Sequence, residues 1–226
     1  EKVISEELPK LAKCFSKPVM ANVSGFSLEE YAYTCEKIDK EEQVGWLEVN
    51  VSCPNVHGGG MAFGTSAEAA AEVTRAVKAV TTKPVIIKLS PNVTDIVSIA
   101  KACEEAGADG ISMINTLLGM RIDIRTGRPI LHNNVGGLSG PAVFPVAVRM
   151  VWQVANAVKI PVCGMGGVSS WEDAVEIMMA GASLVQVGAA IFNDPMVPVK
   201  ITKGLADYCS EKNIMLRDIV GAVKPW

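Results

Sequence analysis

Apolar positions recur along this chain in two alternating rhythms: compact runs of β-branched residues, and longer segments with helical spacing. Val19-Met20-Ala21-Asn22-Val23 predicts a strand over 19–23 with Asn22 near its end. A helix over 28–42 follows, which Ser27 can cap, with Glu30 completing a capping box. From 47 to 52 apolar Leu47, Val49 and Val51 alternate with polar Glu48, Asn50 and Ser52, the period-two pattern of a strand. Residues 66–80 are alanine-rich, with Val73, Val77 and Val80 at helical spacing. The run 84–90 is continuously apolar apart from Lys88, as in a parallel strand covered on both faces. Thr94 is placed to cap a helix over 95–106 that stops at Gly107, and a strand over 109–114 follows. Further on the pattern predicts a helix over 142–158 with Pro145 in its first turn, where a missing N–H is tolerated. It then predicts a strand over 160–163, a helix over 171–180 ending at Gly181, a strand over 184–187, and helical segments over 198–208 and 216–220.

Strands that alternate with helices imply a parallel α/β architecture. At 226 residues with 49% hydrophobic content the chain has the size of one large domain, expected over 1–226. The pattern supplies six strand–helix units, whereas a closed (β/α)8 TIM barrel has eight strands, and an open sheet would leave its edge strands unpaired. The expectation is therefore a (β/α)8 barrel whose first two strands, roughly 60 to 80 residues, are missing from the amino-terminal side. The segment 117–137 is too long for an ordinary loop. Within it, residues 120–125 and 128–131 flank Thr126-Gly127 and predict an inserted β-hairpin.

A net charge of −3 and the absence of any Lys/Arg run argue against nucleic-acid binding. The apolar runs fall short of a membrane span and the first seven residues do not read as a signal peptide, so a soluble, cytoplasmic protein is expected. Six cysteines, at 14, 35, 53, 103, 163 and 209, are widely spaced without a CxxC, and there are two histidines. Neither a metal site nor a disulfide framework is indicated, and most of the thiols should be reduced and buried.

Candidate chemistry gathers where predicted strands end. Pro54 cannot join a ladder and holds Cys53 extended, so the 47–52 strand presents a thiol at its carboxyl tip, ahead of the Gly58-Gly59-Gly60 run of a mobile flap. Lys88 is costly to bury unless an anion meets it, which points to anion binding. The strand over 109–114 leads into Asn115 and Thr116, two hydrogen-bonding side chains at another carboxyl tip. Gly166-Gly167 and Gly188 end the last two strands ahead of helical segments, where bare backbone N–H groups can cradle a phosphate. In (β/α)8 barrels the loops after the last two strands frequently do this.

The motifs Glu48-Val49-Asn50-Val51-Ser52-Cys53-Pro54-Asn55, Ile86-Ile87-Lys88-Leu89-Ser90-Pro91-Asn92, Ile114-Asn115-Thr116, Gly136-Gly137-Leu138-Ser139-Gly140-Pro141, Gly164-Met165-Gly166-Gly167 and Gly188-Ala189-Ala190 occur in this order. Together they resemble class 1 dihydroorotate dehydrogenases from near residue 1 to the C-terminus. A cysteine at position 53 resembles class 1 rather than class 2, and the Ala62-Phe63-Gly64-Thr65 flap ending is similar to subclass 1B. The family's Lys-Ser pair and Asn-rich substrate loop, carried on its first two strands, have no counterpart in the sequence.

The resemblance implies oxidation of dihydroorotate to orotate in de novo pyrimidine (UMP) biosynthesis. Cys53 would take a proton from C5 while a hydride passes from C6 to FMN. It assigns Asn22, Asn50, Lys88, Ile114 and Gly140 to the flavin, and Gly166, Gly167, Gly188 and Ala189 to its phosphate. Asn50, Asn115 and Thr116 fall to the substrate, with Asn55 a further candidate. The implied partner is an iron–sulfur flavoprotein electron-transfer subunit bearing FAD and a 2Fe–2S cluster and passing electrons to NAD, with a homodimer of catalytic chains inside a heterotetramer. The rival readings are a pyrimidine-reducing FMN barrel of the dihydropyrimidine dehydrogenase type, and a non-redox phosphate-binding barrel that uses Lys88 as a Schiff-base amine.

Overall fold

A computed structural model describes residues 1–52 and 63–226. A π-helical turn, Val3–Glu7, runs into a short helix α1 (Leu8–Ala12). Strand β1 (Val19–Val23), helix α2 (Leu28–Asp39), strand β2 (Val44–Asn50) and helix α3 (Ala67–Lys78) follow. Strand β3 (Val85–Lys88), helix α4 (Ile96–Glu105) and strand β4 (Gly110–Met113) continue the alternation. An excursion carries β5 (Leu117–Gly119), β6 (Ile122–Asp123), β7 (Arg128–Pro129) and β8 (Gly136–Leu138). The chain resumes with α5 (Phe144–Ala155), β9 (Val162–Gly164), α6 (Trp171–Met179), β10 (Leu184–Val185) and α7 (Val197–Lys212).

Six of these strands form one sheet in the order β1-β2-β3-β4-β9-β10, and every neighbouring pair is parallel. Strands in chain order, each followed by a helix, are the staves of an incomplete (β/α)8 barrel. Among the described residues the outer strands β1 and β10 do not pair with each other.

The parity of the strands sorts the side chains. Val49 registers with Ile87 and Ile87 with Ile111, and these three share the main apolar core with Val73 and Val77 of α3, Ile99 of α4 and Val151 of α5. The opposite parity carries Glu48, Asn50, Lys88, Ser112 and Cys163 to the inside of the curl, since successive residues of a strand face opposite sides. The alternation at 47–52 therefore separates helix layer from barrel interior rather than core from solvent. Glu48 is 4% exposed and Ser52 3%.

Local chemistry sets the element ends. Ser27 accepts a hydrogen bond from the Glu30 amide, but the Glu30 carboxylate accepts from Phe26 N–H, so the reciprocal box expected there is displaced by one residue. A reciprocal box forms instead at Ser170 and Asp173, at the start of α6. The α4 cap is Asp95, not Thr94: its carboxylate accepts from the amides of Val97 and Ser98, a stronger acceptor for two unpaired N–H groups than a hydroxyl. Helix α2 stops at Asp39 rather than reaching 42, and the Asp39 carboxylate accepts from the amides of Thr82 and Lys83, tying α2 to the turn before β3. Asp109 does the same for β3, accepting from the Val85 amide while pairing with Lys78 at 2.8 Å.

The hairpin predicted inside the excursion is present but short, with Ile122–Asp123 against Arg128–Pro129. Beneath it lies a ribbon with no counterpart in the sequence reading, in which β5 and β8 pair antiparallel and bring Leu117 opposite Leu138. The tip leaves apolar side chains in solvent, Ile124 at 94% and Ile130 at 60% exposure.

Asp39→Ala removes the acceptor shared by two backbone amides of the turn before β3. Its expected effect is a loss of about 1–2 kcal/mol of unfolding free energy, read as a lowered urea midpoint with an unchanged m-value.

Candidate active site

At the carboxyl ends of β3, β4, β9 and β10 lies a cavity of about 410 Å³. Lys88 forms part of its wall with Ile114, Asn115 and Thr116, which follow β4. Gly140, Gly166 and Gly167 supply bare backbone on one side, and Gly188 with Ala189 supply it on another. Nine residues singled out from the sequence thus line one space. Asn22 and Asn50 reach it indirectly, through hydrogen bonds to their neighbours. Cys53, Asn55 and the Gly58-Gly59-Gly60 run lie outside the described residues.

Beneath the cavity the barrel interior is polar. Lys88 Nζ stands 3.7 Å from Glu48 Oε2, a distance of charge attraction rather than a hydrogen bond. Glu48 Oε2 also accepts from the Asn22 amide, and Oε1 accepts from Gln186 Nε2 at 2.8 Å. Burial acts to raise the Glu48 pKa, but the Lys88 ammonium and then hydrogen bonds from neighbours including Gln186 and Asn22 outweigh it and hold the carboxyl below its ordinary range. The anion that sequence reasoning sought for Lys88 is thus partly supplied by the protein. Ser112, opposite Lys88 in register, is fully buried, and its hydroxyl also helps to lower the Glu48 pKa.

A second network fixes the strand tips. Asn50 Oδ1 accepts from the Ser52 amide at 3.1 Å and the Ser52 hydroxyl at 2.9 Å. Asn115 Nδ2 donates to the Ser52 carbonyl at 2.9 Å and to its hydroxyl at 2.8 Å, while Asn115 Oδ1 accepts from the Thr116 amide. Both ends of the Asn115 carboxamide are therefore engaged, the Nδ2 end holding Ser52, the residue that precedes Cys53, and the Oδ1 end holding the Thr116 amide. With Oδ1 of Asn50 loaded, its NH₂ has no hydrogen-bond acceptor among the described residues. Tyr31 of α2, fully buried, donates from its hydroxyl to the Asn50 carbonyl and sets its ring edge-on to Phe63 at 5.9 Å. Beside it Gly64 closes on β2, where a Cβ would come within 2.4 Å of the Val51 carbonyl oxygen. Asn92 clamps the start of the excursion, donating to the Thr116 carbonyl and accepting from the Leu118 amide.

The glycines fall into two kinds. Gly167 (φ +84°) has no room of its own, since a Cβ there would lie 2.7 Å from the Gly140 carbonyl oxygen and 2.8 Å from Phe144 Cβ. At Gly188 a Cβ would meet nothing within 4 Å. What its bareness preserves is the cavity. That is the signature of a cradle a ligand enters, and it fits an anionic group held by backbone N–H donors. The helix-end contribution expected from the sequence is modest, because Gly188 opens only the short 3₁₀ turn Ala189–Phe192, and the α6 amino terminus is already satisfied by Ser170 and Asp173.

Glu48, Gln186, Ser52, Asn92 and Tyr31 were not singled out by sequence reasoning. A glutamine in the apolar run Leu184-Val185-Gln186-Val187 and a glutamate two residues before Asn50 were the available signals, since polar residues at interior positions demand partners. The cysteines behave as expected where described: burial pushes the thiols of Cys35 and Cys163 up to about 12 and that of Cys103 to about 11, with Glu48 adding to the rise at Cys163.

Parallel strands with a lysine, amides and a glycine cradle at their carboxyl ends define a ligand-binding α/β barrel. The sequence matches the dihydroorotate dehydrogenase family over residues 1–209, and the chain belongs to that family. The catalytic subunit of dihydroorotate dehydrogenase B (NAD(+)) from Brachyspira hyodysenteriae is 52% identical over 210 residues, 92% of this chain and 69% of the relative. The subunit of the same name from Geobacillus kaustophilus is 58% identical over 197 residues, 87% of this chain and 63% of the relative. That from Bacteroides thetaiotaomicron is 50% identical over 220 residues, 97% and 73% of the respective chains. This chain thus spans roughly two thirds of the length of these relatives.

Gly167→Ala is expected to lower stability by about 2 kcal/mol through its left-handed backbone and close contacts, whereas Gly188→Ala, where a Cβ meets nothing within 4 Å, is expected to cost less. Differential scanning calorimetry of the two variants checks the contrast. The depressed Glu48 pKa stabilises the fold above the ordinary glutamate value of about 4.3, and that contribution is lost as pH falls through the lower folded-state value. Urea unfolding between about pH 6 and pH 3 is expected to lose more stability in the unmutated protein than in the charge-free pair Glu48→Gln/Lys88→Met.

Proposed function

We propose that this chain is the flavin-bearing, substrate-oxidising part of an NAD-linked dihydroorotate dehydrogenase, converting dihydroorotate to orotate in pyrimidine synthesis. The observation that carries the reading is the convergence of Lys88, the Asn115-Thr116 pair and the open cradle at Gly188 on one cavity, in a chain of this family. FMN is the cofactor that these groups suit, and when bound it accepts the hydride released by the substrate. The residues Gly166, Gly167, Gly188 and Ala189 offer backbone donors to its phosphate, while Gly140, Ile114 and Asn22 flank the ring system. Lys88 presents a cation to the part of the ring that gains negative charge on reduction.

Ser52 and Asn115 occupy the oxygen of Asn50, so the end of Asn50 available to flavin and substrate is its NH₂. Thr116 presents its hydroxyl to the substrate, and Asn115 acts there through the strand tip it holds. Cys53 is the base that removes the proton from the carbon next to the one that loses hydride. An unperturbed thiol titrates near pH 8.5, so flavin reduction rises with pH as the thiolate forms.

Electrons leave through an iron–sulfur flavoprotein subunit with FAD and a 2Fe–2S cluster and pass to NAD, in a heterotetramer built on a dimer of catalytic chains. The word "subunit" in the relatives' names supports such an assembly, and the exposed Ile122, Ile124 and Ile130 at the excursion tip give it an apolar surface. Among the described residues no helix is long and apolar enough to cross a membrane, and a cytoplasmic location suits a pyrimidine-synthesising enzyme.

The expected visible spectrum of the purified protein is that of a flavin, bleaching on anaerobic addition of dihydroorotate. Reoxidation of the pre-reduced flavin by uracil, with no bleaching of the oxidised flavin by dihydroorotate, would identify a pyrimidine reductase instead, and a colourless protein trapped by borohydride at Lys88 would identify a Schiff-base enzyme. Cys53→Ser is expected to slow flavin reduction at neutral pH by at least about a hundredfold, the scale of a lost general base; stopped-flow absorbance reads this, and an unchanged rate removes Cys53 from the mechanism.

A further inference from the structure

Glu48 is the buried carboxylate among the described residues, and it sits directly beneath the cation that faces the cavity. Its two oxygens are held from two sides: Oε2 by Asn22 of β1 and Oε1 by Gln186, which follows β10. An ionised carboxylate accepts hydrogen bonds and donates none, so each amide must turn its NH₂ toward Glu48 and its carbonyl oxygen away. Gln186 also lines the cavity, and its carbonyl oxygen is the end not engaged with Glu48. Lys88 Nζ, at 3.7 Å, is drawn toward Glu48 by charge without spending a hydrogen bond on it. Its three N–H donors have no hydrogen-bonding partner among the described residues, while the lysine side chain is only 17% exposed. One carboxylate therefore dictates what the floor of the cavity shows to a ligand: which end of two amides, and how much net charge.

We propose that Glu48 is a positioning residue for the flavin, fixing the Lys88 ammonium, Asn22 and Gln186 in their ligand-facing orientations and counterbalancing the lysine's charge. The inference rests on the reading of the cavity as an FMN site. An uncompensated lysine beneath a flavin favours the reduced, anionic ring. With Glu48 behind it the site is close to neutral, and the flavin keeps a lower midpoint potential, so that electrons captured from the substrate are readily released to the next carrier. A role confined to packing would change stability and flavin occupancy but leave the potential where it was.

The test is a spectroelectrochemical titration of the FMN-loaded holoenzyme against Glu48→Gln and Glu48→Asp. Loss of the charge in Glu48→Gln is expected to favour reduced over oxidised flavin by at least about tenfold, a rise of about 30 mV for a two-electron couple. Glu48→Asp, which keeps the charge, is expected to stay near the unmutated value. An unchanged or lowered potential in Glu48→Gln overturns the proposal while leaving the functional reading intact. An unmutated protein that takes up no FMN overturns both. Should Glu48→Gln fail to retain flavin, the redox-difference infrared spectrum of the unmutated holoenzyme decides. A carboxylate band that responds to flavin reduction is expected, and the absence of any responding carboxylate overturns the proposal.

Discussion

A lysine in the interior of a parallel sheet is a debt that the rest of the fold must settle. Desolvating an ammonium costs several kcal/mol, and this chain meets that cost in three ways at once. Lys88 sits at the carboxyl end of β3, where the barrel opens toward the cavity. Glu48 lies within Coulombic reach from the neighbouring strand. Glu48 in turn is satisfied by amides from β1 and from the residue after β10. A buried pair of this type adds little net stability, since desolvation offsets attraction, but removing one partner strands the other. The pair thereby constrains four strands around a single charge balance, and the polar lining of the curl follows from it.

Around that floor a tier of carboxamides organises the strand tips. Asn50, Ser52 and Asn115 share their hydrogen bonds so completely that, among the described residues, the only side-chain donor left over is the Asn50 NH₂. Closing the local accounts in this way is what makes a tip rigid, because each rotamer is determined by its partners. Tyr31 extends the same logic to the helix layer, where its hydroxyl meets the carbonyl of Asn50. The geometry of these strand tips is thus set by the sheet and by α2.

Much of this was legible in the sequence. The alternation of strands and helices, the position of every strand in the large sheet and nine residues of the cavity wall follow from periodicity, strand-tip chemistry and motif resemblance. What stayed hidden has a common physical character. The surroundings of Glu48 depend on three partners far from it in sequence, and a period-two pattern cannot tell a solvent-facing polar side from a barrel-facing one. The choice of Asp95 over Thr94 as cap is a competition between adjacent acceptors that spacing alone does not resolve. The ribbon of Leu117–Gly119 with Gly136–Leu138 joins segments too short, and too far apart in sequence, to announce their pairing. The difference between Gly167 and Gly188 is invisible to composition, because both read as turn glycines until their surroundings are known.

The silenced thiols bear on how the molecule meets an oxidant. At a pKa of about 12 the sulfur of Cys35 or Cys163 is ionised at neutral pH in about one molecule in a hundred thousand, and thiolate is the reactive species. Sulfenic-acid formation and alkylation therefore pass these positions by, as they do Cys103. Among the described residues that leaves Cys14, on the surface, and Cys209, partly exposed, as targets.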